Sequence, residues 1–297
     1  EWILMKALII AEHAAAAAEL VAGARTMADE VVAISFGGAY ECGADKVLNI
    51  TVPEGLTVDS AVETVNAAFD AENPEVVLVE ACRHMKVIAG SLAFHADTAV
   101  ITDVTAFEAE GAKSMYFGGI AERVQKAAGN VAIYTVGAGV FDGAEGANGS
   151  VAEQEWVAPA RPVKVVSSQV IEKSGVNLFK ADVVVAAGRG FAEESQLSMA
   201  NDLCDKLGAG LACSRPLTEG VNWLPTERYV GVSGLMLTPK AYIAVGISGQ
   251  MQHMVGCNRS GAIFAINKDK NAPIFKQCDF GLIGDIKDVL PAITAAL

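Results

Sequence analysis

The chain has 297 residues, 52% hydrophobic and 19% charged, with 29 glycines; this composition excludes a disordered or fibrous protein and leaves room for about two α/β domains. A formal net charge of −13 argues against a nucleic-acid binder, because nothing would neutralise a run of phosphates. The charge is unevenly placed, −15 over residues 1–160 and +2 over 161–297, so an anionic small ligand belongs with the second half and the acidic first half faces solvent or a partner.

The first half alternates short apolar runs with helical patterns. Lys6 to Ala11 reads as a strand, Ala14 to Glu30 as an Ala-rich helix and Val31 to Ser35 as a second strand. A helix over Thr57 to Asn73 follows the Asn49 to Pro53 segment, then a strand at Val76 to Val79, a helix around Met85 to Phe94 and a strand at Ala99 to Thr102. This is βαβ grammar, which a parallel sheet with flanking helices satisfies. Ala112 to Phe117 and Val131 to Val136 lack long helices between them and are expected as antiparallel strands at the sheet edge.

Pro159 and Pro162 make the stretch from Trp156 to Val165 extended. The domain boundary is placed just after it, giving domains 1–165 and 166–297. The second begins afresh with a buried strand at Val183 to Ala187, a Gly188-Arg189-Gly190 turn and a helix over Ser195 to Leu207. Strands at Gly210 to Cys213, Tyr242 to Val245 and Ile263 to Ile266 follow, closed by a helix over Ile286 to Ala295. The fold class expected is therefore two doubly wound, mostly parallel α/β domains, the second Rossmann-like.

The uncharged stretch Ala241 to Asn258 holds Gly246, Ser248, Gly249, Gln250, Gln252 and His253, too polar for a bilayer-spanning helix. The six cysteines show no CxxC and no Cys/His ligand spacing, so no metal site is read and reduced, mostly buried thiols are expected. The N-terminus lacks the succession of basic region, apolar stretch and cleavage site; a cytoplasmic location is expected, with Glu1 to Leu4 preceding a start at Met5.

In such a sheet ligands bind outside the carboxyl ends of the strands, so the loops after Ala187, Cys213, Val245 and Ile266 should converge on one crevice. The first carries Gly188-Arg189-Gly190, either an anion loop or a plain turn; it lacks the third glycine of a dinucleotide fingerprint, with Glu193 and Glu194 in that region. The second carries Ser214-Arg215-Pro216, a hydroxyl and a guanidinium before a helix-incompatible proline, with a surface ion pair as the alternative for Arg215. The third runs from Gly246 to His253 and enters a helix, where free amides, the Ser248 hydroxyl, a close approach at Gly249 and the side chains of Gln250, Gln252 and His253 offer donors. His253 has a structural alternative, and Asn267 after the fourth strand is either a reader of a polar ring edge or a turn residue. Gly246-Ile-Ser-Gly and Gly231-Val-Ser-Gly are not nucleophile elbows, since Gln250 and Leu235 stand where glycine is required. The loops hold donors and hydroxyls with few acid-base groups, as suits a polyanionic cofactor.

From Val183 onward the chain resembles the FAD-binding region of the electron-transfer flavoprotein α subunit, through Gly188-Arg189-Gly190, Ser214-Arg215, Val230-Gly231-Val232-Ser233-Gly234, Ser248 to His253 and the block from Ala265 to Phe275. Glu41 to Val47 carries the resemblance in the first half, and the FixB-like branch, linked to carnitine or acyl-CoA metabolism, is the nearest. The resemblance implies bound FAD and a heterodimer with a β subunit that packs on the first domain. It implies electron transfer between a dehydrogenase, such as an acyl-CoA dehydrogenase, and another redox protein, with electron bifurcation depending on the β subunit. Arg189, Ser214, Ser248 and the segment Gly249, Gln250, Met251 and Gln252 would contact the phosphates and adjoining groups, and Asn267 and Asp285 the nucleotide portion. Arg215, Ser233 and His253 would surround the isoalloxazine, and Val230, Gly231 and Val232 would also bind the cofactor. The family often has threonine at 233 after a glutamine, whereas this chain has Val232 and Ser233, which implies an altered flavin potential. Two other readings stand beside it: a flavin- or NAD-dependent oxidoreductase with its own small substrate, and a non-redox adenine-nucleotide-binding assembly subunit.

Overall fold

A computed structural model describes residues 5–143, 146–169 and 176–297. The chain divides into two compact units, Glu1–Met115 with Glu122–Val170, and Tyr116–Ala121 with Ile171–Leu297.

The first unit contains β1 (Lys6–Ile10), α1 (Ala14–Ala24), β2 (Glu30–Phe36), β3 (Lys46–Ile50), α2 (Val62–Glu72), β4 (Val76–Glu80), α3 (Arg83–His95), β5 (Val100–Glu108), β6 (Gly111–Tyr116), β7 (Ala121–Gln125), β8 (Ala132–Val136) and β9 (Ser150–Glu153). They form one sheet in the order β7-β6-β5-β8-β4-β1-β2-β3-β9. Its central strands are apolar throughout because both faces are covered. Ala7 and Ile9 of β1 pack with Leu20, Val21 and Ala24 of α1, while Leu8 and Ile10 point the other way, toward Val65 of α2 and Ile88 and Leu92 of α3.

Two expectations are corrected here. The first helix ends at Ala24 rather than Glu30, and Glu30 already pairs with Lys6 as the first residue of β2. Val131 to Val136 is not an antiparallel edge: β8 runs parallel to both β4 and β5 and lies between them. Only β6 has the expected character, antiparallel to β5. A short apolar run reads alike in either orientation, and here the β5–β6 excursion returns the chain to an interior slot. The extended Trp156 to Val165 stretch lies along α2, with Val157 and Val163 exchanging hydrogen bonds with the hydroxyls of Thr64 and Ser60.

The second unit contains β10 (Val183–Ala187), α4 (Leu197–Leu207), β11 (Gly210–Cys213), β12 (Ala241–Val245), α5 (Met251–Met254), β13 (Ala262–Asn267), β14 (Phe280–Ile283) and α6 (Ile286–Ala296). The all-parallel order is β11-β10-β12-β13-β14. Val185, Ala187, Leu211 and Val245 pack against Leu203 of α4 and Leu290 of α6. On the opposite face Val184, Ala186, Tyr242 and Ala244 meet Met254, Cys257 and Ile274. Because all five strands are parallel, each delivers its carboxyl end to the same rim.

All six cysteines are free, four of them buried. Burial pushes the thiols of Cys213 and Cys257 up to about 12, which leaves them protonated and inert at neutral pH. No helix among the described residues is long and apolar enough to cross a membrane.

Candidate functional site

The loops after β10, β11, β12 and β13 converge, as their places at the strand ends require, on a crevice of about 410 Å³. Arg189, Ser214, Arg215, Val232, Ser233, Ser248, Gln250, Gln252, His253 and Asn267 line it. Five of the expected site residues lie outside that lining. Val230 and Gly231 form the buried base of the Ser233 loop, and Gly249 is buried behind Ser248. Met251 lies on α5, and Asp285 caps α6 by accepting from the Lys287 amide at 3.0 Å.

Backbone contact between loops explains the glycines. Gly188 N donates to Val245 O and Gly190 N to Gly246 O at 2.8 and 2.9 Å, and a Cβ on Gly190 would lie 2.5 Å from Gly246 Cα. The Gly188-Arg189-Gly190 spacing thus serves loop-to-loop approach, with Arg189 left exposed at the crevice mouth. Gly249 has φ +83, and a side chain there would run into the Ile274 backbone. That close approach lets Ile274 N donate to Ser248 O at 3.0 Å and Gln277 Nε2 to Gly249 O at 2.9 Å.

The third loop differs from expectation in one respect. The helix it enters is a single turn, Met251–Met254, too short for a dipole argument. What it offers instead is unpaired amides: the N–H groups of Ser248, Gly249 and Gln250 meet no backbone carbonyl among the described residues. Pro216, expected to exclude helix, opens a helical turn at Pro216–Gly220, where its missing N–H is no loss.

The two guanidiniums are not equivalent. Arg215 is 60% exposed and donates through Nε to Glu219 at 2.6 Å, and this carboxylate raises the Arg215 pKa further. The surface ion pair weighed for Arg215 is therefore present, on a residue that also lines the crevice. Asn267 is committed at both ends of its amide, donating to Ile247 O at 2.9 Å and accepting from Asp269 N at 3.0 Å; it ties two loops together. Ser233 Oγ lies 3.3 Å from the Tyr229 hydroxyl.

His253 is only 7% exposed. Burial drives its pKa down to about 4, against a smaller opposing influence from the Val230 carbonyl, so the ring is neutral at pH 7. Its Nε2 lies 3.0 Å from the hydroxyl of the fully buried Tyr242, and its Nδ1 is buried without a hydrogen bond of good geometry. The sequence marks Tyr242 only as part of a core strand, although a buried hydroxyl calls for a partner.

Unpaired amides, three hydroxyls, two guanidiniums and an orphaned imidazole nitrogen suit a ligand rich in acceptors and negative charge. Such a donor set, at the strand ends of a parallel sheet, defines a site for a phosphorylated cofactor such as a dinucleotide. Residues 7–161 match the electron transfer flavoprotein domain and residues 177–258 the electron transfer flavoprotein FAD-binding domain. The chain is also similar to the curated proteins named Protein FixB from Escherichia coli O157:H7 and from Shigella flexneri, each 39% identical over 293 residues and covering 94% of both chains. The Protein FixB of Escherichia coli O127:H6 is 38% identical over the same length and coverage. The chain belongs to the electron-transfer flavoprotein family, α type, with FAD as its cofactor and electron transfer as its role.

Proposed function

We propose that the crevice holds FAD with Arg189, Ser214, Ser248 and the amides of the Gly249 to Gln252 segment on its phosphates. Arg215, Ser233 and His253 would lie around the isoalloxazine, and Asn267 and Asp285 toward the nucleotide portion. The observation that carries this reading is the convergence of four strand-end loops on one donor-rich space. Bound FAD supplies reversible uptake of one or two electrons. This chain's residues hold it, favour negative charge on it through hydrogen bonds and guanidiniums, and keep water from its buried edge. The crevice lining has one carboxylate, Asp269, already accepting from Asn271 N at 2.9 Å, and its one imidazole is neutral. That set is poorly suited to general acid-base turnover of a separate substrate.

On this reading the first unit pairs with a β subunit. Val87 and Phe94, one helical face apart by seven residues, stand 52% and 90% exposed on α3, which is the character of a covered surface rather than a solvated one. The electron donor would be a flavin dehydrogenase of the acyl-CoA class, the acceptor another redox protein, and the location the cytoplasm.

Purification with the natural partner tests this. The expected result is a yellow complex that bleaches only when a partner dehydrogenase and its substrate are added. One FAD per heterodimer identifies a simple carrier, and two flavins a complex able to bifurcate electrons. Direct bleaching by a small substrate would convict the carrier reading in favour of an oxidoreductase, and a colourless, nucleotide-bound protein in favour of an assembly subunit.

A further inference from the structure

The Tyr242 hydroxyl and His253 Nε2 lie 3.0 Å apart, and Tyr242 has no access to solvent. Their rings are 6.1 Å apart at 53°, so the contact is a hydrogen bond rather than a stack. The backbone holds both ends: Tyr242 sits in the middle of the sheet, paired with Val184 and Ile263, and His253 N donates to Gln250 O at 2.9 Å.

A neutral imidazole carries its proton on one nitrogen only, and the partner of the other nitrogen decides which. With the proton on Nε2, that group would donate to the tyrosine oxygen. The phenolic hydrogen would then have only the weak acceptor Cys257 Sγ, whose electrostatic influence reaches Tyr242, and the Nδ1 lone pair would face the Val230 carbonyl. With the proton on Nδ1, Tyr242 donates to Nε2 at 3.0 Å, and Nδ1–H faces the Val230 carbonyl without a hydrogen bond of good geometry, which leaves it as the ring's one donor not taken up. The second arrangement is the better one, because the phenolic hydrogen meets an imidazole nitrogen instead of a thiol and no nitrogen lone pair is turned on a carbonyl oxygen.

We propose that Tyr242 is a positioning residue for the crevice: its hydroxyl holds His253 as the Nδ1–H tautomer, so that the ring offers its ligand a neutral donor. The ligand atom this selects is a hydrogen-bond acceptor such as a ring carbonyl, and it excludes a donor. The ligand side of the inference rests on the FAD reading above; the tautomer itself does not.

The test uses the full-length chain, in the complex in which it purifies, labelled with ¹⁵N and stripped of flavin. Long-range proton–nitrogen correlation distinguishes the two tautomers, and His253 is assigned among the four histidines by the signal lost in His253→Gln. The native chain should show Nδ1–H, and Tyr242→Phe, which keeps the ring but not the hydroxyl, should show Nε2–H or a mixture. An Nε2–H native ring, or an unchanged tautomer in a folded Tyr242→Phe protein, would overturn the proposal; a packing role alone would leave the tautomer where it was. FAD titration of the same samples should show binding two- to tenfold weaker in Tyr242→Phe, the loss expected for one neutral hydrogen bond. Unchanged FAD affinity with an altered tautomer overturns the ligand side alone. A native complex that binds no FAD sinks the flavin reading while the tautomer result stands.

Discussion

Acid should loosen the second unit through His253, and the size of the effect follows from its burial. Its pKa is about 4 in the folded chain against 6.5 for an unburied imidazole. Above pH 6.5 the group is neutral in both states and takes nothing from stability. As the pH falls from 6.5 toward 4 the unfolded chain takes up a proton that the folded chain refuses, so stability declines by about 1.4 kcal/mol per pH unit. Below pH 4 both states are protonated and the decline from this source stops, after a total of about 3 kcal/mol. Carboxylates titrate in the same range, so the comparison is with His253→Gln, which lacks only the imidazole. Amide hydrogen exchange of β12, read by mass spectrometry from pH 4.5 to 7.5 after correction for intrinsic rates, reports opening of the strand beneath the ring. The native chain should lose protection on acidification more steeply than the variant, by close to one proton's worth of slope. Parallel profiles would refute the reasoning, because they would mean that the folded ring protonates as easily as a free one.

Two further substitutions separate architecture from chemistry. Gly249→Ala places a Cβ against the Ile274 backbone at φ +83 and should destabilise the second unit by about 2 to 3 kcal/mol, with lowered FAD affinity; urea unfolding checks the first effect and flavin titration the second. Glu219→Gln removes the carboxylate from Arg215 in a pair that is half exposed on both sides, so the urea midpoint should be unchanged within error. FAD affinity should rise about two- to fivefold at low salt, with the gain shrinking as salt is added; a loss of affinity would show that Glu219 orients Arg215 rather than competing with the ligand for it.

The parallel core was legible because buried strands are continuous apolar runs: Val183–Ala187 and Gly210–Cys213 can be bounded from sequence to the residue. Exposed edge strands were not. Ser150–Glu153 has no apolar run, and the short one of Phe280–Ile283 is not buried; both are exposed at all four positions and are defined by the single neighbour each pairs with. The crevice was legible as a set of strand ends, since the strand-end rule needs only the order of elements. What joins those ends was not, because the Gly190–Gly246 contact brings together residues 56 positions apart. The same distance effect hides a cluster in the first unit, where Glu12, His13 and Cys82 place potential ligand atoms within 4.8 Å of one another, although no metal-ligand spacing exists in the sequence. There the imidazoles are already engaged, His13 with Glu80 at 2.7 Å and His84 with Glu12 at 2.9 Å.

The neutrality of His253 also relocates the positive charge of the crevice. A cationic imidazole at the buried end would act through a low effective dielectric, where a unit charge about 4 Å away is worth several kcal/mol. Instead the positive charges of the lining are Arg189 and Arg215, both exposed, and one of them is shared with Glu219. Charge placed there guides an anion into the crevice and is weakened by salt, whereas the buried end selects by hydrogen bonding alone. On the proposed reading, negative charge developing on a bound cofactor would be stabilised deep in the crevice by fixed neutral donors, oriented by the loops and, as proposed, by Tyr242. The substitutions that change redox behaviour most should accordingly be those that turn or remove a buried donor, with a smaller effect at Arg215, whose charge is shared with Glu219, and with Arg189 acting chiefly on affinity and its salt dependence.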